Sequence, residues 1–402
     1  MCIFKTYKLL LASIILSVIG LTSHAHDLTK VNFNYLYNHD PVKIDYQIAQ
    51  QDSLYKLILT FHLVKVLPTD SLAGFELYQQ KKINSGQEEL IKPISVQVDS
   101  GFIKNIIELD FYAKMENSYL VIKFSFLEKP YLYGIPINEA LAFPLSNIIY
   151  GSDAEGMFYD GYKKSDSVWF EDIGENSDED QQYFAYLYKD DFPPAIPPMV
   201  VDEGGGIGES LQIKNVIGFK RGMMLNKEDH LYYVQNDTSS DRGVAILSHK
   251  EYYPRTKSVE ELIEKLKYIC TGDEYKELNE SDDKKTAFNE FWLGHIDDKD
   301  RASETIKKYF RSVKFANALF TDYKNGWKTD RGMIYIAFGP PQVVTQKEDV
   351  EIWEYKTFDG DLKFTFAKTR NLFVQYHYSL IREKSLNKAW FTAVQKWRTG
   401  DL

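Results

Sequence analysis

Polar and apolar residues alternate along much of the first 145 positions. In "YLVIKFSFL" (residues 119–127), Ile122, Phe124 and Phe126 fall on one side of an extended chain. Val121, Lys123 and Ser125 fall on the other, the period expected of a half-buried strand. Strand signals recur at "LYKLILTFHLV" (54–64), "FELYQ" (75–79), "ISVQV" (94–98) and "NIIELDFYA" (105–113), with turn residues between them. This spacing predicts an antiparallel β-sandwich over residues 26–144.

Residues 145–250 carry strand candidates at "YFAYLY" (183–188), "SLQIKNVIGF" (210–219), "HLYYVQN" (230–236) and "GVAILSH" (243–249). They read as a second, smaller β-domain. It is interrupted by the acidic "GENSDEDQQ" (174–182) and by "FPPAIPPMVVDEGGGIGES" (192–210), both read as exposed loops open to proteolysis. The "GGGIG" inside the latter lacks the Lys-Ser/Thr of a phosphate-binding loop and the G-x-G-x-x-G register.

The period changes to helical near residue 252. Ser258-Val-Glu-Glu261 and Thr271-Gly-Asp-Glu274 are helix-start signatures. "KKTAFNEFW" (284–292) reads as helix, and Ser303 is placed as the cap of "ETIKKYFRSVKFANALF" (304–320). Ile306, Tyr309, Phe310, Val313, Ala316 and Phe320 form its apolar stripe. "MIYIAF" (333–338), "IWEYKTFDGDLKFTFA" (352–367) and "LFVQYHYSL" (372–380) read as strands, with Asp359-Gly360 as a hairpin turn. "KSLNKAWFTAVQKWR" (384–398) returns to helix. The expected fold is therefore multidomain, β-rich plus α+β. An α+β unit over residues 251–402, helices followed by antiparallel strands, succeeds the two β-domains.

Composition sharpens this reading. Aromatic residues make up 15% of the 402, including 28 Tyr and 25 Phe, a bias toward pleated, half-buried surfaces. The net charge is -10, which disfavours binding to a phosphate backbone, so no nucleic-acid partner is expected. Lys5 and Lys8, an apolar run over residues 9–21, and Ser23-His24-Ala25 have the layout of a signal peptide cleaved after Ala25. The run is too short to span a bilayer comfortably, and an uncleaved anchor is the rival reading. Cys2 leaves with the leader and Cys270 remains alone, so no intrachain disulfide is possible. Cys270 follows Leu266 and Ile269 and reads as a small buried residue. No transmembrane helix is expected in the mature chain. Asp52-Ser53-Leu54, Asp70-Ser71-Leu72 and Asp166-Ser167-Val168 fit an O-glycosylation tripeptide, but turns use the same residues.

One stretch stands apart: "NGWKTDRGMIYIAFGPP" (325–341). With "YICTGDEYKEL", "FNEFW", "YFRSVKFANALF" and "EIWEY" around it, this stretch resembles the GWxTD domain family of exported bacterial proteins. The resemblance covers about residues 250–380. "WLGHIDDKDRASETIKKY" (292–309) matches the family's Trp-x-x-x-Asp stretch only loosely. The resemblance implies a compartment, the periplasm or the outer membrane, and a fold. It implies no activity.

The candidate site is Trp327, Thr329, Asp330, Arg331 and Gly332. Asn325-Gly326 suits a left-handed turn after the helix, Thr329 and Asp330 suit local backbone bonds, and Gly332 opens the expected strand. Three readings follow: a structural turn, a binding groove, or a catalytic site using Asp330. Catalysis needs a second titratable group. His295, Asp297 and Asp298, or Glu351 and Glu354, are the candidates, and the first three are also the weak metal reading. No cofactor is expected. A non-enzymatic envelope protein that binds an envelope protein or glycan is the leading expectation, and an envelope hydrolase or carbohydrate-active enzyme is the alternative.

Overall fold

The computed structural model describes residues 26–402, apart from 39–41, 64–71, 86, 101–103, 114–118, 127–128, 138–147, 153–155, 158–161, 164–166, 173–180, 189–191, 202–211, 221, 225–229, 240, 251, 358–359 and 375. The expected leader and the "GGGIG" stretch lie outside the described residues, as do Asp70, Ser71 and Asp166 of the two later tripeptides.

The N-terminal sandwich is present. Strands β1 (Val42–Gln51), β2 (Leu54–Leu63), β5 (Ser95–Ser100) and β6 (Lys104–Tyr112) form one antiparallel sheet, ordered β1-β2-β6-β5. Strands β3 (Leu72–Gln80), β4 (Glu88–Ile91), β7 (Tyr119–Phe126) and β8 (Lys129–Pro136) form the other, ordered β4-β3-β7-β8. Phe61 meets Phe124 edge-on across the gap at 5.4 Å, the inward positions of facing sheets interdigitating as the alternation requires. Asp52 and Ser53 make the two-residue turn between β1 and β2, Asp52 with φ of 52°.

The second β-rich region also has two sheets. One is ordered β10-β9-β12-β15, from β9 (Ile148–Ser152), β10 (Gly156–Met157), β12 (Ser167–Asp172) and β15 (Gly222–Met224). The other is ordered β11-β17-β16-β13-β14, from β11 (Tyr162–Lys163), β13 (Tyr183–Tyr188), β14 (Ile213–Phe219), β16 (Leu231–Gln235) and β17 (Val244–Ser248). Tyr150, Phe170, Tyr183 and Tyr232 pack between them. The Gln47 amide bonds both the N–H and the carbonyl of Tyr150, tying this region to the first sandwich.

The C-terminal region is α+β. Helices α1 (Val259–Glu264), α2 (Gly272–Glu280), α3 (Lys284–His295), α4 (Lys299–Phe320) and α5 (Asp330–Phe338) come first. A meander β18 (Val343–Gln346), β19 (Val350–Thr357), β20 (Gly360–Thr369) and β21 (His377–Leu380) follows, and α6 (Asn387–Thr399) closes it. Both helix-start signatures hold. Ser258 caps α1, and Thr271 with Glu274 forms a reciprocal capping box on α2.

Three expectations are corrected. "MIYIAF" is not a strand but most of α5. Residues 332–336 are all buried, and a helix enclosed on every side carries no 3.6-residue stripe to distinguish it from a buried strand. Ser303 does not cap α4: the helix begins at Lys299, and the Asp298 carboxylate accepts the Arg301 N–H. The stretch "LFVQYHYSL" is strand only over its last four residues, because Phe373 turns into an aromatic cluster with Tyr188, Tyr233 and Tyr323.

The Pro-rich stretch is also not a free linker where it is described. The Ala195 N–H donates to the Lys328 carbonyl at 2.9 Å, and the Glu383 N–H donates to the Pro198 carbonyl at 3.0 Å. One apolar core runs from Leu28 through the first sandwich and on through Trp292, Trp327, Trp353 and Trp397 of the C-terminal region. Among the described residues no helix is long and apolar enough to cross a membrane.

Candidate functional site

The motif sits where α4 ends and α5 begins, and the two backbones come unusually close. A Cβ on Gly326 would stand 2.1 Å from the Ala316 carbonyl oxygen of α4. Gly326 has no left-handed φ, so the expected turn role is corrected: glycine is needed here for space, not for conformation. The Asn317 side chain accepts the Trp327 N–H at 3.0 Å, and the Thr321 hydroxyl accepts the Gly326 N–H at 2.9 Å.

Trp327 is 0% exposed. Its carbonyl accepts the Tyr268 hydroxyl at 2.8 Å. Lys265 Nζ and Lys328 Nζ each lie 5.5 Å from its ring, a cation–π arrangement strengthened by burial. The Glu264 carboxylate stands 3.3 Å from each ammonium. Burial holds Lys265 below its ordinary pKa, against the attraction of Glu264 and Glu261.

Thr329 is the N-cap of α5. Its hydroxyl donates to the Gly326 carbonyl at 2.8 Å and accepts the Gly332 N–H at 3.0 Å. A Cβ on Gly332 would stand 1.8 Å from that same carbonyl. Gly332 therefore serves a helix start, not a strand start.

Asp330 lies in the first turn of α5, where the helix dipole favours an acid. Its Oδ2 accepts the Leu380 N–H at 2.8 Å, and Arg382 Nη2 reaches its Oδ1 at 2.5 Å. Arg382 Nη2 also donates to the Ile196 carbonyl at 3.1 Å. Asp330 thus holds strand β21 and, through Arg382, the Pro-rich stretch.

Arg331 points the other way. Its guanidinium carbon lies 3.5 Å from the centroid of Tyr378, its Nη1 donates to the Tyr37 hydroxyl at 3.0 Å, and it reaches Glu351 Oε1 at 3.6 Å. Glu351 is 0% exposed. It accepts from the Tyr37 hydroxyl at 2.8 Å, Trp353 Nε1 at 2.8 Å and Gln346 Nε2 at 3.2 Å. A buried carboxylate with this many donors is structurally satisfied. Burial, and then the Glu351 charge, raise the Tyr37 pKa well above its ordinary value, so Tyr37 remains a donor at neutral pH.

The five candidate residues are adjacent in space but face different partners. Glu351 reaches Arg331, whereas Glu354 pairs with Lys363 at 2.8 Å. His295 lies 3.3 Å from Glu274 and contacts Arg398. Asp298 is spent as the α4 cap. Tyr37, Asn317 and Arg382 were not legible as site residues. Tyr37 is 294 positions from Arg331, and no local pattern marks such a contact. Burial pushes the Cys270 thiol up to about 12, away from the thiolate a nucleophile needs.

Residues 230–399 match the GWxTD domain. These residues form a GWxTD domain. No curated protein matches the chain. The GWxTD match opens with β16 and β17, which hydrogen-bond into the sheet of the second β-rich region. At its far end, the GWxTD domain carries a groove of about 990 Å³ between α4, α6 and the β19–β20 hairpin. Phe338, Tyr355 and Trp397 contribute aromatic surface to it. Lys308, Arg311, Lys356, Lys388 and Lys396 bring positive charge, against the single carboxylate side chain of Asp361. Among the described residues no acidic side chain lies within ion-pair distance of Lys308, Arg311, Lys356 or Lys396. α5 spans its nine residues between the motif and this groove, roughly 13 Å at 1.5 Å per residue.

Proposed function

We propose that this GWxTD domain protein is a non-enzymatic component of the bacterial cell envelope that binds a negatively charged envelope protein or glycan. One contrast carries the reading. The polar groups of Thr329, Asp330 and Arg331 are engaged inside the fold, while the groove presents Lys308, Arg311, Lys356 and Lys396 with no acidic side chain in ion-pair distance among the described residues, on a chain of net charge -10. These four cations around an aromatic floor favour an anionic partner, whose approach they would also accelerate. The motif acts as a latch behind that surface. It joins α4, α5, β21 and the Pro-rich stretch, and so sets the groove's α5 wall.

The test compares wild type with Lys308→Glu/Lys356→Glu/Lys396→Glu and with Asp330→Ala. All are used as bait in solubilised envelopes, with melting curves and varied salt. Charge reversal is expected to leave melting nearly unchanged and to remove the salt-sensitive partner. Asp330→Ala is expected to lower the melting temperature. Undiminished capture by the charge-reversed protein would defeat the binding reading. A folded Asp330→Ala protein that loses a measurable turnover would favour the hydrolase alternative.

A further inference from the structure

A carboxylate is buried against the start of the described chain. The Glu88 side chain, at the first position of β4, is only 2% exposed. Its Oε2 accepts the backbone N–H of His26 at 3.0 Å and lies 2.8 Å from His26 Nδ1. Among the described residues no Lys or Arg lies within ion-pair distance of Glu88. A carboxylate so covered is costly without a compensating charge. An amide N–H is a neutral donor and supplies none, and the His26 imidazole supplies one only when protonated. If the chain began at His26, the same nitrogen would be an α-ammonium in the same place.

We propose that His26 is the first residue of the mature protein and that Glu88 is the built receptor for its α-ammonium. The position is the one left by cleavage after Ser23-His24-Ala25. A peptidase acting on exported chains would add water across the Ala25–His26 amide. The carbonyl carbon of Ala25 takes the hydroxyl, the bond to nitrogen breaks, and the released amine is protonated from solvent. The new terminus then closes the buried ion pair.

The consequence reaches beyond β4. Just after His26, the Leu28 N–H donates to the Ile83 carbonyl at 3.1 Å. Further along, the Phe33 N–H donates to the Val344 carbonyl at 2.9 Å, and Tyr37 bonds Glu351. Residues 26–37 are therefore a strap from the sandwich to the GWxTD domain. Processing fastens its free end.

This inference rests on the export reading, so the experiment separates the two. Four purified chains are compared. One begins at His26, released from a cleavable fusion. One carries a single Ala before His26. Each is also made with Glu88→Gln. The chain beginning at His26 is expected to melt higher than its Ala-extended form, and the difference should vanish in the Glu88→Gln pair. Equal melting of the first two, or a difference that survives Glu88→Gln, would overturn the receptor role. Should Glu88→Gln not fold, α-acetylation of the His26 chain replaces it, and an acetylated chain that melts like the free one overturns the role. Mass spectrometry of the protein from its host reads the processing site: His26 first is the expected result, and any other first residue overturns that assignment. The melting comparison uses purified chains and stands apart from where the protein resides.

Discussion

Gly326 and Gly332 are the most constrained residues of the motif. Each would drive a Cβ into a backbone carbonyl, at 2.1 Å and 1.8 Å. Backbone cannot step aside as a side-chain tip can. Gly326→Ala and Gly332→Ala are each expected to cost about 3 kcal/mol or more, at the upper end of overpacking, by denaturant unfolding. Trp327→Ala empties a fully buried site and should cost about 3–5 kcal/mol. Thr329→Ala loses a cap that both donates and accepts, for about 1–2 kcal/mol, and Thr329→Ser should restore most of it. If Trp327→Ala melted like wild type, the burial described above would be wrong. Glu351→Ala strands the Arg331 guanidinium among aromatic rings, and breaking such a pair costs about 3–5 kcal/mol.

At the scale of elements, the capped helices are held by charge as well as by apolar stripes. Arg398 of α6 forks onto Glu274 of α2, with Nη1 and Nη2 each 2.7 Å from an oxygen. Arg398, aided by the Thr271 cap, holds the Glu274 carboxyl at about 2, below its ordinary 4.5. A depressed carboxylate pKa stabilises the fold at pH above the unfolded value, and this contribution is lost as pH falls through the folded value. Between pH 5 and 2, wild type is therefore expected to lose more melting temperature than Glu274→Gln. Parallel melting curves for the two proteins across that window would refute the assignment. The helix α5 shows the limit of reading elements from pattern. Its start signal, Thr329-Asp330, was visible as a turn, and it stops at Gly339, with φ of 79°, before Pro340 and Pro341. The apolar run between them had no periodicity to choose helix over strand, because residues 332–336 are all buried.

At the scale of the whole molecule, the regions are not beads on a string. The strap of residues 26–37, the Pro-rich stretch and the cluster around Phe373 tie the β-rich regions to the GWxTD domain. Tyr37 is one of these ties, and it is buried. Its ring lies 4.9 Å from Trp353 and 5.4 Å from Phe320, and its hydroxyl serves both Glu351 and Arg331. Tyr37→Ala is expected to cost about 3 kcal/mol or more, from the lost aromatic volume and the weakened satisfaction of Glu351. Calorimetry should then show the GWxTD domain unfolding before the sandwich. A single unshifted transition would mean that the strap contributes nothing. Proteolysis is expected to spare residues 195–199, where the Ala195 N–H bonds Lys328 of the motif and the Ile196 and Pro198 carbonyls accept from Arg382 and Glu383.

The amino-acid sequence by itself determined the antiparallel sandwich, the capped helices, the closing meander and the GWxTD domain. Each of these is written in local periods, caps and turns that act over a few residues. Tertiary structure alone decided that α5 is a helix, that Gly326 and Gly332 answer to carbonyls, and that Asp330 and Arg331 hold opposite sides of the fold. It also decided that lysines scattered from residue 308 to residue 396 face one groove. These facts depend on contacts between residues far apart in the chain, such as Tyr37 with Glu351. No local pattern of hydrophobic and polar positions encodes such a contact, because burial on all sides removes the alternation from which patterns are read.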